Sequence, residues 1–260
     1  MIIVEADKYQ LDDEEFCTGR LTAFSEKAPG QSNLNEDSMA FLCLGGDSGV
    51  LIIADGMGGQ PSGEKAARII VETFAEILES HKGESDLRGA ILEAIEQSNE
   101  KIKELQVGAG STVVALEIQG QNIRPYHVGD SSVIVVGQRG KLKYQSIAHS
   151  PVGYALESGI VGEEELHDHD EKHIVSNIVG SGDMRIEIGS FIKLDRRDTV
   201  LLTTDGITDN LTAETIIETI RKGDLDTVRE NLADLAKKNM ENPEKESHPD
   251  DISFILFRAI

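Results

Sequence analysis

Apolar residues occur in short runs along much of the chain, and Gly, Asp or Asn bounds most of these runs. Runs of this length that are rich in β-branched and aliphatic residues are typical of buried strands. The pattern predicts strands over residues 16–24, 39–44, 50–54, 112–118, 123–128, 133–136, 141–144, 199–203 and 252–257. The short turn at 119–122 is expected to join two of these segments as an antiparallel hairpin.

Two other stretches carry apolar residues at every third or fourth position, which is the spacing of one helix face. They begin at Ser62 and Ser85, and because serine is a common N-terminal cap we expect both helices to begin there. Two more helices are predicted over residues 212–222 and 226–240. Hairpins and paired helices, without a regular strand–helix–strand alternation, favour antiparallel sheets covered by helices in an α+β fold.

The chain has 260 residues, which fits one large domain or two small ones and is long enough for a sizeable core. Its formal net charge is −22, because 47 Asp and Glu residues outnumber 25 Lys and Arg residues. So acidic a surface lacks the basic groups that neutralise phosphate, which argues against nucleic acid and anionic membranes as partners. It also attracts divalent cations.

The sequence predicts neither a membrane span nor a leader peptide. Its apolar runs stay below the roughly 20 residues of a spanning helix, and residues 1–7 lack the basic start of a signal peptide. We therefore expect a cytoplasmic protein. Cys17 and Cys43 lie in strand-like segments, and we expect them to be small buried residues rather than a disulfide or a ligand pair.

Four acidic residues lie at the ends of predicted strands. Asp55 and Asp205 each follow an apolar run and precede a glycine, Asp130 follows residues 126–129, and Asp250 precedes the last strand. One Asp-Gly pair is a common turn signal, but turns do not require a carboxylate at four strand ends. Carboxylates that gather repel one another unless a cation neutralises them, and Mg²⁺ and Mn²⁺ prefer such oxygen ligands. The pattern therefore predicts a carboxylate metal site.

Two other motifs indicate different chemistry, and a third that would do so is missing. Gly58 and Gly63 have the separation of a phosphate-binding loop, but Glu64 stands where that loop needs Lys and would repel phosphate. The His-rich tract at 167–173 is similar to a metal-binding tract, yet no Cys accompanies it and we favour a polar surface flap. A G-x-S-x-G motif is absent, so a serine hydrolase has no support.

Six segments, taken in order and spacing, resemble the motifs of the metal-dependent protein phosphatases, the type 2C or PPM family. These segments are Asn35-Glu36-Asp37-Ser38, Ala54-Asp55-Gly56-Met57-Gly58-Gly59, Gly110-Ser111-Thr112-Val113, His127-Val128-Gly129-Asp130-Ser131, Thr204-Asp205-Gly206-Ile207-Thr208-Asp209 and Asp250-Asp251-Ile252-Ser253. The resemblance runs from about Thr18 to Phe257, and the Asp-Gly-Met-Gly-Gly form resembles that of bacterial members.

The resemblance implies one domain over residues 1–260, with a four-layer α-β-β-α sandwich of two central antiparallel sheets flanked by antiparallel helix pairs. It implies a serine/threonine protein phosphatase that uses two Mn²⁺ or Mg²⁺ ions, with a third ion position in bacterial members. A hydroxide that bridges two such ions is a nucleophile at neutral pH, because the metals lower the pKa of their water. We expect phosphoprotein substrates, a Ser/Thr kinase pathway and a monomer.

The resemblance also assigns roles to the strand-end acids. Asp55 matches the carboxylate that bridges both ions, and Gly56 matches the residue whose backbone carbonyl binds one of them. Asp205 and Asp250 match ligands of the other ion.

Three further acids match family positions. Glu36 matches an acid that acts mostly through water on the second ion, and Asp37 matches an acid that orients metal-bound water. Asp130 matches the acid at the third ion position, which it shares with Asp205. Residues 151–172 match the flap beside the active site.

The chain departs from the family pattern at three positions. Ser32 stands where the family usually carries an Arg that clamps the substrate phosphate, so substrate binding is expected to be weaker unless Lys27, Arg20 or another cation substitutes. Asp251 replaces the usual Asn, and Met57 replaces a His of animal members. The Ser32 departure leaves open a sensor or regulatory domain with weak turnover, and an unrelated metal hydrolase of small phosphoesters is a third reading.

Overall fold

The computed structural model describes residues 1–31, 33–57, 62–84, 86–160, 162, 174–242 and 249–260. Its strands are β1 (Ile2–Val4), β2 (Lys8–Phe16), β3 (Gly19–Glu26), β4 (Asp37–Gly45), β5 (Ser48–Asp55), β6 (Val113–Gln119), β7 (Asn122–Val128), β8 (Ser132–Val136), β9 (Leu142–Gln145), β10 (Glu187–Ile188), β11 (Ile192–Lys193), β12 (Thr199–Thr203) and β13 (Ile252–Ala259). Its helices are α1 (Gly63–Glu79), α2 (Arg88–Lys103), α3 (Pro151–Glu157), α4 (Asp205–Thr208), α5 (Ala213–Ile220) and α6 (Leu225–Met240).

The strands form two sheets in which every described pairing is antiparallel. The first sheet has the order β1-β4-β5-β6-β7-β10, and β11 also pairs with β7. The second sheet has the order β2-β3-β13-β12-β8-β9. The hairpin predicted at the 119–122 turn is confirmed, since Gln119 pairs with Asn122.

The period-two alternation of the strands builds two apolar layers at once. In β5, Leu51 and Ile53 pack between the sheets, whereas Ile52 and Ala54 face α1 and α2. In β13, Ile255 packs between the sheets. Phe254 lies on the opposite face of the strand and packs against α5 and α6. Both faces of each central strand are therefore buried, and each fully buried aliphatic side chain contributes about 1.5–3 kcal/mol. The four-layer α-β-β-α sandwich predicted for the chain is confirmed.

Two local predictions are wrong. Residues 16–24 do not form one strand, because Cys17 lies in the turn between β2 and β3 with φ 49°, a left-handed conformation that interrupts a strand. Cys17 is only partly buried and Cys43 is exposed on β4, so neither is the core residue that the sequence predicted.

The predicted serine caps also differ from the structure. Ser62 precedes α1, but its φ of 69° turns its side chain away from the capping geometry and it makes no capping hydrogen bond. Helix α2 begins at Arg88 after Leu87, and Ser85 lies outside the described residues.

The segment predicted as a flap begins with α3, whose N-terminus is capped by Ser150. Residues 163–173, with the His-rich tract, lie outside the described residues. Across the described ranges, no helix has the length and apolar character needed to cross a bilayer.

Candidate metal centre

Both sheets deliver acidic residues to one end of the sandwich. Asp37 is the first residue of β4 and Asp55 the last of β5, and the two are direct cross-strand partners. Asp205 begins α4 directly after β12, and Asp250 lies just before β13. Asp130 lies in the turn between β7 and β8. The acids expected at strand ends are thus brought together, although up to 195 positions separate them in the sequence.

A threonine joins the two sheets at this end. The Oγ1 of Thr204 donates a hydrogen bond to Oδ2 of Asp37 at 3.1 Å. The backbone N–H of Thr204 donates to the carbonyl of Ser253 at 3.1 Å. Thr204 precedes Asp205, and Ser253 lies in the strand that follows Asp250, so these bonds fix the acids of the second sheet beside Asp37.

A second threonine connects Asp55 with the Asp130 turn. Thr112 accepts from the backbone N–H of Asp55 at 3.3 Å and donates its own N–H to the carbonyl of Asp55 at 2.8 Å. Its Oγ1 lies 2.7 Å from the hydroxyl of Ser131, the neighbour of Asp130. The side chain of Thr112 therefore links the backbone of Asp55 to Ser131, the residue that follows Asp130.

The carboxylate of Asp251 anchors the loop that carries Glu36. Its Oδ1 accepts from the backbone N–H of Ala28, and its Oδ2 accepts from the backbone N–H of Glu36, both at 2.7 Å. Charge-assisted bonds of this kind are the stronger ones in proteins. Asp251 thus positions Glu36 through the backbone, a role that the sequence pattern alone did not predict.

The glycines of the two Asp-Gly pairs are required by close packing. A Cβ on Gly56 would lie 2.2 Å from the carbonyl oxygen of Gly63, and a Cβ on Gly206 would lie 2.1 Å from that of Asp251. Neither glycine has a positive φ. The Asp-Gly pairs are therefore sites where backbone packs against backbone, and the turn reading of these pairs does not apply.

Burial and mutual repulsion raise the pKa values of these acids. Loss of hydration, followed by the charges of Asp205 and Asp37, raises the pKa of Asp55 well above its ordinary range. Burial, and then the charge of Asp250, raises the pKa of Asp205 well above its ordinary range. Burial, and then the charge of Asp251, raises the pKa of Asp37 in the same way.

The remaining acids are affected in the same direction. Burial, with the charge of Asp209 next, raises the pKa of Asp130 to about 7. Loss of hydration raises the pKa of Asp250 to about 6, although this residue keeps an exposed surface at the rim. Burial, with Asp251 next, raises the pKa of Glu36 to about 7. Each carboxylate lies in a negative environment.

The donor set fits a hard divalent cation. The carboxylates crowd one another, and Oδ1 of Asp130 is buried with no hydrogen-bond partner among the described residues. A buried unpartnered carboxylate oxygen is costly unless a cation or a donor meets it. Oxygen ligands of this kind suit Mg²⁺ and Mn²⁺. No three of the predicted acids come within 4.8 Å of one another, a distance that only His127, His149 and Glu187 meet in the described part of the chain.

Two acids near the centre were not predicted as site residues. Asp209 raises the pKa values of Asp130, Asp205 and Asp250, and Glu64 raises that of Glu36. Asp209 follows Asp205 by four positions, the spacing of one helix face, and this was the signal in the sequence that could have identified it.

Two cations, Arg20 and Lys27, are candidates to replace the phosphate-binding Arg expected at position 32, and the structure describes both. Arg20 lies at the opposite end of β3 and binds Asp13 at 2.8 Å, so it cannot replace an Arg at position 32. Lys27 is nearer, because its charge opposes the rise in the pKa of Asp251 that burial causes, and its Nζ lies 3.6 Å from Oδ1 of Asp7. Ser32 itself lies outside the described residues.

Comparison with known proteins identifies the family. The family model described as Protein phosphatase 2C matches residues 28–242. Serine/threonine protein phosphatase PstP of Mycobacterium tuberculosis is 24% identical over 243 residues, which are 91% of this chain and 44% of that protein. The chain thus spans less than half the length of this relative. Serine/threonine phosphatase stp of Listeria welshimeri is 30% identical over 199 residues, which are 72% of this chain and 77% of that protein.

A solved structure has the same fold. The catalytic domain of PstP in complex with two manganese ions matches with a TM-score of 0.75 at 23% identity, over 92% of this chain and 97% of that chain. Because the family model covers more than half of the sequence, the chain belongs to the protein phosphatase 2C family, the metal-dependent PPM phosphatases, in its bacterial form.

Proposed function

We propose that the chain hydrolyses phosphoserine and phosphothreonine in phosphoproteins with the help of two Mn²⁺ or Mg²⁺ ions, and that a third ion position lies at Asp130. The observation that carries this proposal is the meeting of carboxylates from both sheets, each with a raised pKa, around a buried oxygen of Asp130 that has no partner among the described residues.

The residues that would hold the ions are Glu36, Asp55, Gly56, Asp130, Asp205 and Asp250. Asp55 would serve both main ions, and the close packing of Gly56 against Gly63 fixes the backbone of Gly56 beside Asp55. When bound, the ions lower the pKa of a water molecule and neutralise charge on the phosphoryl oxygens. The chain supplies no covalent nucleophile in this proposal.

Asp37 has a different task from the ion-binding acids. The hydroxyl of Thr204 donates a hydrogen bond to Oδ2 of Asp37 at 3.1 Å. The backbone N–H of Asp37 donates to Oδ1 of Asn35 at 2.9 Å. These bonds fix the carboxylate within the buried end of the sandwich. Asp37 then accepts a hydrogen bond from the attacking water and orients it toward phosphorus.

Relatives support the activity. Proteins of Mycobacterium and Listeria that match the chain are named serine/threonine phosphatases, and the solved PstP domain holds two manganese ions. The family match makes a phosphatase the favoured reading over the sensor domain. We further propose that residues 1–260 form one domain, that the protein is a cytoplasmic monomer, and that it opposes a Ser/Thr kinase.

Phosphate release from a phosphothreonine peptide and from p-nitrophenyl phosphate, each with and without Mn²⁺, tests the proposal. We expect Mn²⁺-dependent release from both substrates. Absence of release from both would support the sensor reading, and release from the small ester alone would support a hydrolase of small phosphoesters. A chelated sample gives the baseline in each case.

A further inference from the structure

His149 holds both polar groups of the residue that precedes Asp130. Its backbone N–H donates to the carbonyl of Gly129 at 2.9 Å, and its Nδ1 accepts from the N–H of Gly129 at 3.1 Å. Gly129 has a φ of 108°, a conformation that other residues rarely adopt, and a Cβ there would lie 2.6 Å from Cβ of Thr112. The two bonds therefore fix the peptide unit from which Asp130 projects.

Asn177 fixes the tautomer of His149. The Oδ1 of Asn177 accepts from the N–H of Arg185 at 3.0 Å, and its Nδ2 donates to the carbonyl of Arg185 at 2.7 Å. The orientation of the amide is thus determined by the backbone, and Nδ2 also faces Nδ1 of His149 at 2.8 Å. Because two donors point at Nδ1, this atom carries the lone pair and the hydrogen of the ring lies on Nε2.

This tautomer explains the histidine cluster without a metal. Nε2 of His149 donates to Glu187 at 3.2 Å, and Nε2 of His127 donates to the carbonyl of Ile147 at 2.9 Å. The two rings stack with centroids 4.5 Å apart. A nitrogen that carries a hydrogen cannot bind a metal ion, so the short distances among these three residues reflect a hydrogen-bonded cluster.

His149 also connects the segments on both sides of the predicted flap. Its carbonyl accepts from the N–H and from the hydroxyl of Ser176, both at 2.8 Å. The next residue, Ser150, caps α3 by accepting from the N–H of Gly153 at 2.9 Å. The Asp130 turn, the start of α3 and residues 176–177 therefore meet at His149 and its neighbour Ser150.

We propose that His149 is a positioning residue, which orients Asp130 toward a bound divalent ion through Gly129 and does not itself touch that ion or the substrate. This role rests on the proposed function, because it takes Asp130 as an ion ligand. The tautomer of His149 does not depend on that function and can be measured by itself.

Three substitutions of His149 distinguish the role of Nδ1 from the role of Nε2. The side-chain oxygen of His149→Asn lies near the place of Nδ1 and can accept from Gly129, whereas His149→Gln reaches only the place of Nε2. His149→Ala removes both. His81 is half-buried, lies two residues beyond the end of α1 and provides the control substitution His81→Ala.

Calorimetric titration of the metal-free protein with Mn²⁺ gives the first readout. Asp130→Asn identifies the binding step that depends on Asp130. We expect His149→Ala and His149→Gln to weaken this step by about 10- to 100-fold, as is typical when a residue behind a ligand is lost. His149→Asn should stay within about threefold of wild type, because it keeps the bond to Gly129. His149→Ala should add little to Asp130→Asn in the double variant.

Nitrogen NMR of the imidazole rings gives the second readout, which needs no activity. We expect Nδ1 of His149 to show the shift of a nitrogen without hydrogen. Asn177→Asp replaces the donor by an acceptor, so the hydrogen should move to Nδ1 and the Asp130-dependent step should weaken even if His149→Ala does not fold.

Several results would overturn the positioning role. These are an unchanged Asp130-dependent step in His149→Ala, a Gln variant that binds better than the Asn variant, a hydrogen on Nδ1 in wild type, or wild-type protein that binds no Mn²⁺. Wild-type protein that binds Mn²⁺ as expected but releases no phosphate would refute the proposed function alone.

Discussion

Two groups of buried charged residues in this chain differ in whether the chain itself supplies the opposite charge. Between the second sheet and α6, Arg229 is 1% exposed, and its Nη1 lies 2.8 Å from Asp226 and 3.2 Å from Asp12. It also donates to the carbonyl of Leu11 at 2.6 Å and to Thr22 at 2.9 Å. In this Arg229 cluster the chain supplies both signs of charge.

In the candidate metal centre the charges of the described residues are mostly negative. Burial and then the charges of neighbouring carboxylates raise the pKa values of its acids, and the positive charge of Lys27 only partly opposes the rise in the pKa of Asp251. A buried charge that is left unpaired destabilises the fold, whereas a satisfied pair is close to neutral. The comparison indicates that the Arg229 cluster serves the fold, and that the acids of the candidate metal centre reduce stability unless a cation neutralises them.

The largest effect is expected from Asp55→Asn. Loss of the bridging carboxylate should lower phosphate release by at least about 1,000-fold, which corresponds to about 4 kcal/mol of transition-state stabilisation. The same change relieves repulsion, so the chelated protein should become more stable by about 1 kcal/mol. Phosphopeptide turnover with Mn²⁺ and thermal unfolding in chelator measure the two effects.

The matched control for that substitution is Asp226→Asn in the Arg229 cluster. Asp226 accepts from Arg229 and from the N–H of Asp13 at 2.9 Å, so its neutralisation should lower stability and leave turnover per folded molecule unchanged. If both amides shifted stability in the same direction, the distinction between the two clusters would be wrong.

The sequence indicated the gathering of the acids better than it indicated the Arg229 cluster, for a physical reason. Strand ends are visible in the sequence, because an apolar run ends where Asp55 or Asp205 begins, and acids at the same end of packed sheets meet. Arg229 lies in a helix whose charged residues are expected on the solvent side. Its burial depends on acceptors in Leu11 and Thr22, more than 200 positions away, which no local pattern reveals.

The same limit explains which strands were missed. Strands β10 and β11 have two residues each and are defined by pairing with β7, so they carry no periodic signal of their own. The alternation of β2 is interrupted by a register shift between Leu11 and Glu14. The long central strands were predicted because both of their faces are buried.

Arg229→Ala should have the next largest effect. Its loss removes a long buried side chain and leaves the carbonyl of Leu11 and the hydroxyl of Thr22 without this donor. We expect the free energy of unfolding to fall by about 3 kcal/mol. Urea unfolding measures this fall in the free energy of unfolding. The Mn²⁺-dependent turnover per folded molecule should be unchanged. Reduced Mn²⁺ affinity would show that the two clusters are coupled.

Addition of Mn²⁺ to the chelated protein should raise stability by a slightly smaller amount. A ligand that binds only the folded state at 100 times its dissociation constant stabilises it by about 2.7 kcal/mol. The melting temperature should therefore rise with Mn²⁺ concentration in wild type and in Asp226→Asn. In Asp55→Asn the rise should be much smaller. An equal rise in all three proteins would mean that Mn²⁺ binds elsewhere.

A separate effect, measured without metal, is the pH dependence of the stability of the chelated protein. Folding raises the pKa of Asp250 to about 6 and those of Asp130 and Glu36 to about 7, from ordinary values of 3.8 for Asp and 4.5 for Glu. The folded state therefore binds these protons more tightly than the unfolded chain. Their contribution to stability is complete below about pH 4 and is lost as the pH rises through 6 and 7.

Urea unfolding at a series of pH values from 4 to 8, in the presence of chelator, measures this loss. Asp130→Asn removes one of the three groups, so its stability should fall less steeply with pH than that of wild type. Saturating Mn²⁺ favours the ionised carboxylates and should oppose the loss. Asp226→Asn should keep the wild-type slope, because its acid belongs to the cluster that Arg229 neutralises. A stability that rises with pH in the chelated protein would show that the acids are neutralised by the chain itself, and the contrast between the two clusters would not hold.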